Sequence, residues 1–347
     1  MDDKAFESGK RPRVPPLVMN LLKFGVGGAA IWGLIHSGAL DPALVGQAFV
    51  SHPWFCAAAF LAYIAVVAIP AWARWFLLLR LAGIKAGAGR VFSLQMIGLF
   101  FNSLVPGGTG GDLIKGFYLF REHKDKDKSL ALTSIAMDRF VGLYALLSVA
   151  MLMTLVNYHV WIDSPVLRLN SLFYAGVYLT FTAMIAFYFS PWSGYFLEHP
   201  QLHRLPGGGF LKSLFDSLIV FRGRPFGLLA ALGLGIVVDI GLILLYYFSA
   251  LALGLTLPLQ AHGYVVPVLT MINGIPISPA GLGVGEAAGK WLYGSMGVTQ
   301  GGSEVLALVH ICVIVLSLMG APFYFLYRTD ARKRVREAAS LKDRTSV

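Results

Sequence analysis

Apolar residues along this chain run in blocks long enough to cross a bilayer, and polar residues collect between the blocks. Unbroken blocks lie near 17–37, 53–79, 130–157, 170–190, 226–254 and 303–327. Each is longer than the roughly 18 apolar residues that mark a membrane helix. Two further blocks, 91–120 and 265–298, are interrupted by Gly and Pro. At the interruptions the chain reads FFNSLVPGGTGGDLIKGFYLF (100–120) and NGIPISPAGLGVGEAAGK (273–290). A stretch of about 30 helical residues spans roughly 45 Å, enough for two half-length arms around a break. The pattern predicts an all-α polytopic membrane protein with about six full transmembrane helices and two re-entrant helical hairpins.

Composition agrees with that class. The 347 residues are 56% hydrophobic and only 13% charged, too apolar for a soluble globule of this length. Little sequence is left for a soluble domain, so function is expected in the membrane part. Lys10, Arg11 and Arg13 precede the first block as in a secretory leader. That block contains Lys23 and is not followed by a small-residue cleavage site, which favours an uncleaved first span.

The net charge of +10 is unevenly spread. Basic residues fill 1–16, the loop with Arg80, Lys85 and Arg90, the loop from Arg121 to Lys128, the segment from Arg204 to Arg224, and the tail 328–347. Loops 38–52 and 256–264 have no Lys or Arg, and 158–169 has only Arg168. The positive-inside rule therefore places both termini in the cytoplasm. It also places both flanks of 91–120 there, so that block must enter and return on one side. By the same logic 265–298 enters from the opposite side. The basic loops have no fold of their own on which to bind nucleic acid, and no nucleic-acid partner is expected.

The two interrupted blocks correspond. Asn102 matches Asn273, Pro106 matches Pro279, Asp112 matches Glu286 and Lys115 matches Lys290. Span, span, hairpin, span (17–157) is followed by the same order (170–327), with opposite starting sides. An inverted-topology duplication with broken segments in equivalent places points to a transport site near the midplane.

Irregular backbone at membrane depth is tolerated where it lines a polar cavity. Gly107, Gly108, Gly110 and Gly111 permit a nest of converging N–H groups, and a helix is expected to begin near Asp112. Lys115 adds a charge one turn on, so the expected ligand is an anionic headgroup, most simply a phosphate. The segment lacks the GK[ST] ending of a nucleotide P-loop. Asp112 and Glu286 serve either as helix caps or as ligand and proton sites. Asp138, Arg139 and Asp239 lie within spans, where an ionisable residue costs about 2.5–3.5 kcal/mol and needs a partner. Asp112 or the ligand is the expected partner of Arg139, and Lys115 or Arg74 that of Asp138. Asp239 is a possible relay or a partner of Lys290, whereas Arg74 and Arg80 are expected to snorkel. The segment 210–225 is expected to lie on the membrane surface. The charged run around Asp125 and Asp127 reads as a solvated loop. Cys56 and Cys312 read as packing residues, and the scattered His residues have no metal-site spacing. No metal or cofactor is expected.

Three stretches, FFNSLVPGGTGGDLIKGFYLFR, MDRFVGLYAL and NGIPISPAGLGVGEAAG, resemble the signature regions of the lysylphosphatidylglycerol synthase transmembrane family of flippase-like proteins. The resemblance covers nearly the whole chain. It implies an integral protein of a prokaryotic cytoplasmic (inner) membrane. In the best-known members this region is regarded as moving an aminoacylated phospholipid between leaflets, and relatives accompany glycolipid, polyprenyl-lipid or hopanoid pathways. By motif match it singles out Asn102, Pro106, Gly107, Gly110, Gly111, Asp112, Asp138, Arg139, Gly281, Gly283 and Glu286. The sequence ends about twenty residues after the last span, without room for the aminoacyl-transfer domain, so synthase activity is not expected. The expected function is a lipid flippase or translocator, with a polyprenyl phosphate or aminoacyl phospholipid among the candidate lipids. The alternatives are an intramembrane headgroup- or glycosyl-transferase using Asp138 or Asp112 as base, and a non-catalytic partner of lipid-biosynthesis enzymes.

Overall fold

The computed structural model of the chain describes residues 29, 31–36, 40–104, 110–122, 125–156, 158, 165–193, 219–275, 277–278 and 281–327. All regular structure among them is helical. In chain order the helices are α1 (Pro42–Ser51), α2 (Pro53–Leu81), α3 (Ala88–Leu104), α4 (Gly110–Glu122), α5 (Asp125–Val156), α6 (Pro165–Phe189), α7 (Pro225–Ala252), α8 (Leu259–Asn273), α9 (Val284–Gly294) and α10 (Gly302–Tyr327). Five of them, α2, α5, α6, α7 and α10, contain stretches long and apolar enough to cross a membrane. The sixth predicted span, 17–37, lies almost wholly outside the described residues. So do the tail 328–347 and most of the expected surface segment 210–225.

Local chemistry explains several boundaries. Asp41 caps α1 by accepting the Ala43 N–H at 2.8 Å. Pro70 lies inside α2 and has no N–H to offer the Val66 carbonyl four residues back. The helix widens there into a π-turn over Tyr63–Ala68, in which the Ile69 N–H bonds to Ile64. Gly241 of α7 rests against the same carbonyl: a Cβ at that position would come within 2.8 Å of the Val66 oxygen. Pro258 starts α8 inside the loop expected at 256–264, because its φ of −65° and extended ψ suit the residue before a helix. Likewise α5 begins at Asp125, so the charged run read as a loop opens a helix instead.

Lipid is as apolar as leucine, so close packing, and not apolar burial alone, must hold such helices together. α7 is the central element and packs on α2, α5, α8 and α10. The two shorter helix pairs are α3–α4 and α8–α9. α4 packs on α5 and α9 on α10, while α3 meets α10 and α8 meets α5. One core lies around Trp75, Leu94, Ile97 and Leu119; another lies around Tyr246, Leu269, Tyr293 and Leu306. α6 rests on α5 and leaves Leu172, Phe173 and Leu179 exposed, as a helix facing lipid would.

Candidate functional site

Four helices bring six charged side chains together, five of them buried. α2 carries Arg74, α4 carries Asp112 and Lys115, α5 carries Asp138 and Arg139, and α7 carries Asp239. Arg74 Nε donates to Asp138 Oδ1 at 2.8 Å, and both side chains are buried. Arg74 therefore does not snorkel as expected. The gap that admits it is made by two glycines: a Cβ on Gly142 of α5 or Gly235 of α7 would lie 3.1 or 3.3 Å from a guanidinium nitrogen. Asp138 and Gly142, like Gly235 and Asp239, are one turn apart, so each helix presents a carboxylate beside an opening. The charge of Arg74 acts on Asp239, which is buried and whose Oδ2 has no hydrogen-bond partner. Lys290, the partner expected for Asp239, is instead exposed on α9.

Asp112 sits in the first turn of α4, where the helix dipole favours an anion. Its carboxylate holds Lys115 at 2.9 Å and also pairs with Arg139. Lys115 reaches Asp138 at 4.0 Å and Gln95 at 3.3 Å, and lies 4.5 Å from the centre of the Trp75 ring. Only 3% of Lys115 is exposed, so its charge is committed to the cluster. Arg139 differs, with 52% of its side chain exposed. Three cations face three carboxylates, as a buried charged group requires. Pro106, Gly107 and Gly108 lie outside the described residues. Of the expected nest, Gly110 and Gly111 are described, and the Gly111 N–H donates to Asn102 Oδ1 at 2.8 Å. A Cβ on Gly111 would overlap the Gly98 carbonyl oxygen, so α3 and α4 meet backbone to backbone.

The second interruption is built differently. Gly281 and Gly283 have φ of +82° and +81°, a region that other residues rarely adopt. Their turn leads into α9, where Glu286 Oε2 accepts the Gly283 N–H at 2.6 Å and so caps the helix. Glu286 Oε1 lies 2.7 Å from His310 Nδ1 of α10, and Ser303 Oγ donates to the Glu286 carbonyl at 3.1 Å. Both Glu286 and His310 are buried. His310 was missed in the sequence, where the histidines looked scattered. Its position inside an apolar span was the available signal.

Both interrupted segments border one cavity of about 240 Å³. Asn102 and Ser103 of α3 reach it, as do Thr270 and Asn273 of α8 and His310 and Ser317 of α10, with apolar walls from α2 and α7. The two asparagines are equivalently placed. A Cβ on Gly111 would come within 2.6 Å of Asn102 Oδ1, and one on Gly285 within 2.5 Å of Asn273 Oδ1. Each of these glycines immediately precedes the acid of its segment, Asp112 or Glu286. Ser103 Oγ bonds to Ser317 Oγ at 2.6 Å, whereas Asn273 Oδ1 and His310 Nε2 have no hydrogen-bond partner. Such a lining can hold a small polar group by hydrogen bonds, next to the charged cluster reached through Asn102 and Gly111.

The family model described as Lysylphosphatidylglycerol synthase TM region matches residues 20–321. No curated protein and no solved structure matches the chain.

Proposed function

Because the chain belongs to the lysylphosphatidylglycerol synthase transmembrane-region family, we propose that it moves a lipid between leaflets by holding an anionic, phosphate-bearing headgroup between two re-entrant hairpins. The observation that carries this reading is the meeting of Asn102 and Asn273 at one cavity, each from its own broken helix pair. The packing order supports an inverted repeat around it. Exchanging α3–α4–α5 with α8–α9–α10 converts each contact among these six helices into another that is also made, including α3 with α10 and α8 with α5. α2 and α7 then correspond and pack on one another at the centre.

In this reading the headgroup enters the cavity while its acyl chains remain in lipid, and the two units gate alternately. Outside the cavity lining, Arg139 is the exposed cation that meets the phosphate on its approach, and Asp112 holds it in place. The protein works as a transporter without a synthase step, in a multi-pass arrangement with cytoplasmic termini. Reconstitution into liposomes tests this directly. Headgroup exposure should equilibrate with wild-type protein and collapse in Asp112→Asn and Arg139→Gln. A wild-type protein inactive on anionic phospholipids and on polyprenyl phosphates alike would refute it.

A second reading draws on the Glu286–His310 contact. A carboxylate that orients an imidazole is also how a general base is held, so headgroup or glycosyl transfer within the membrane is the alternative. Turnover of candidate lipid donors by the purified protein separates the two.

A further inference from the structure

We propose that the Glu286–His310 pair is a proton-binding site of the cavity, and that one proton and one anionic headgroup occupy the cavity together. The inference rests on the translocation reading and adds its coupling ion. His310 Nδ1 and Glu286 Oε1 are 2.7 Å apart, and the other carboxylate oxygen takes the Gly283 N–H. An ionised Glu286 therefore fixes the Nδ1–H tautomer and leaves Nε2 as a bare lone pair. Nε2 is buried, unpartnered and on a residue that lines the cavity.

Two charge states follow. With neutral imidazole the pair carries a buried negative charge, and Nε2 presents an acceptor that repels a phosphate oxygen. With one proton added at Nε2 the pair is neutral overall, and Nε2–H becomes a charged donor on a residue that lines the cavity. The described lining contains no Lys or Arg. The imidazolium is thus the cation that this cavity can offer an anion, and the anion in turn stabilises the imidazolium. The proton arrives from the aqueous phase onto Nε2 as the headgroup enters, and returns to water as it leaves. No other bond changes.

The surroundings supply few competitors. α9 contributes Glu286, α2 contributes the Tyr63 phenol, and α7 contributes the Tyr246 phenol. α3 and α8 contribute amides and hydroxyls, namely Asn102, Ser103, Thr270 and Asn273. On α10 itself the neighbouring titratable groups are Cys312, beside Tyr63, and Glu304, which accepts the Asp41 N–H at 2.8 Å.

The test uses the full chain in weakly buffered detergent, with short-chain phosphatidylglycerol as probe and short-chain phosphatidylcholine as control. Calorimetry in buffers of different ionisation enthalpy should show about one proton taken up per phosphatidylglycerol bound. Affinity should fall by about tenfold per pH unit once the unliganded pair is deprotonated. His310→Gln should abolish the uptake and flatten the pH profile, and Glu286→Gln should shift it. Independently of lipid, a histidine resonance in the wild-type spectrum should titrate, vanish in His310→Gln and move in Glu286→Gln. Binding without proton uptake would overturn the coupling and leave the translocation reading standing. Failure of any anionic lipid to bind or move would overturn both, and a histidine that never titrates would overturn the proton site whatever the lipid does.

Discussion

Arg74 Nε donates to Asp138 Oδ1 at 2.8 Å in the protein interior, through a gap between two glycine-bearing helices. Removing the cation would leave Asp138 with the longer Lys115 contact at 4.0 Å and take from buried Asp239 the charge that acts on it. Arg74→Leu should therefore destabilise the protein by about 3–5 kcal/mol, the usual cost of leaving a buried charge uncompensated. Adding Asp239→Asn should restore part of the loss. Thermal stability of purified protein in detergent, followed by size-exclusion chromatography, measures both.

Gly98 and Gly111 face each other but are not interchangeable. A Cβ on Gly111 would overlap the Gly98 carbonyl, whereas one on Gly98 would find its nearest neighbours at 3.4 Å. Gly111→Ala should cost about 1–3 kcal/mol, as overpacking does, and Gly98→Ala should be tolerated. The same melting experiment reads this asymmetry, and equal effects would contradict the described approach of α3 and α4.

The two asparagines should separate stability from function. Asn102→Ala leaves the buried Gly111 N–H without its acceptor, a loss of about 1–3 kcal/mol. Asn273→Ala removes an oxygen that has no partner, so stability should hold or rise. Both changes should suppress lipid movement in liposomes.

Sidedness can be read by cysteine labelling in a Cys56→Ser, Cys312→Ala background, since both native thiols are free. Lys85→Cys and Lys124→Cys should react from the cytoplasmic side, which requires the chain between them to enter and return. Thr256→Cys and Gln300→Cys should react from the other side. Lys85, Thr256 and Gln300 are all exposed, which suits an impermeant maleimide. Opposite-side labelling of Lys85→Cys and Lys124→Cys would refute the hairpin.

The broken segments and the charges of Asp112, Asp138 and Arg139 were legible because polar residues stand out within apolar blocks. The Asp112–Arg139 pair and the Asp138 contacts with Arg74 and Lys115 were among the pairings expected. What remained hidden depends on other helices. Arg74 looked like a residue near a helix end, and its burial is decided by Gly142 and Gly235 far along the chain. His310 meets Glu286 because α9 and α10 approach closely, with Gly289 set against the Gly302 carbonyl. Lys115 and Lys290 looked equivalent in sequence. Lys115 is buried among partners while Lys290 is exposed, and at the second segment an imidazole contacts the acid.

The charged cluster has a consequence for how the chain is made. Helices α2, α4 and α5 bring Arg74, Lys115 and Arg139 but only Asp112 and Asp138, one cation more than carboxylates. The third acid, Asp239, comes with α7 from the second half of the chain, as does Gly235, against which the Arg74 guanidinium lies. A nascent protein whose first half is already inserted would thus hold Arg74 on Asp138 beside an empty seat. Arrival of α7 fills that seat and sets Asp239 near the same guanidinium, so the two halves are tied through Arg74 during synthesis.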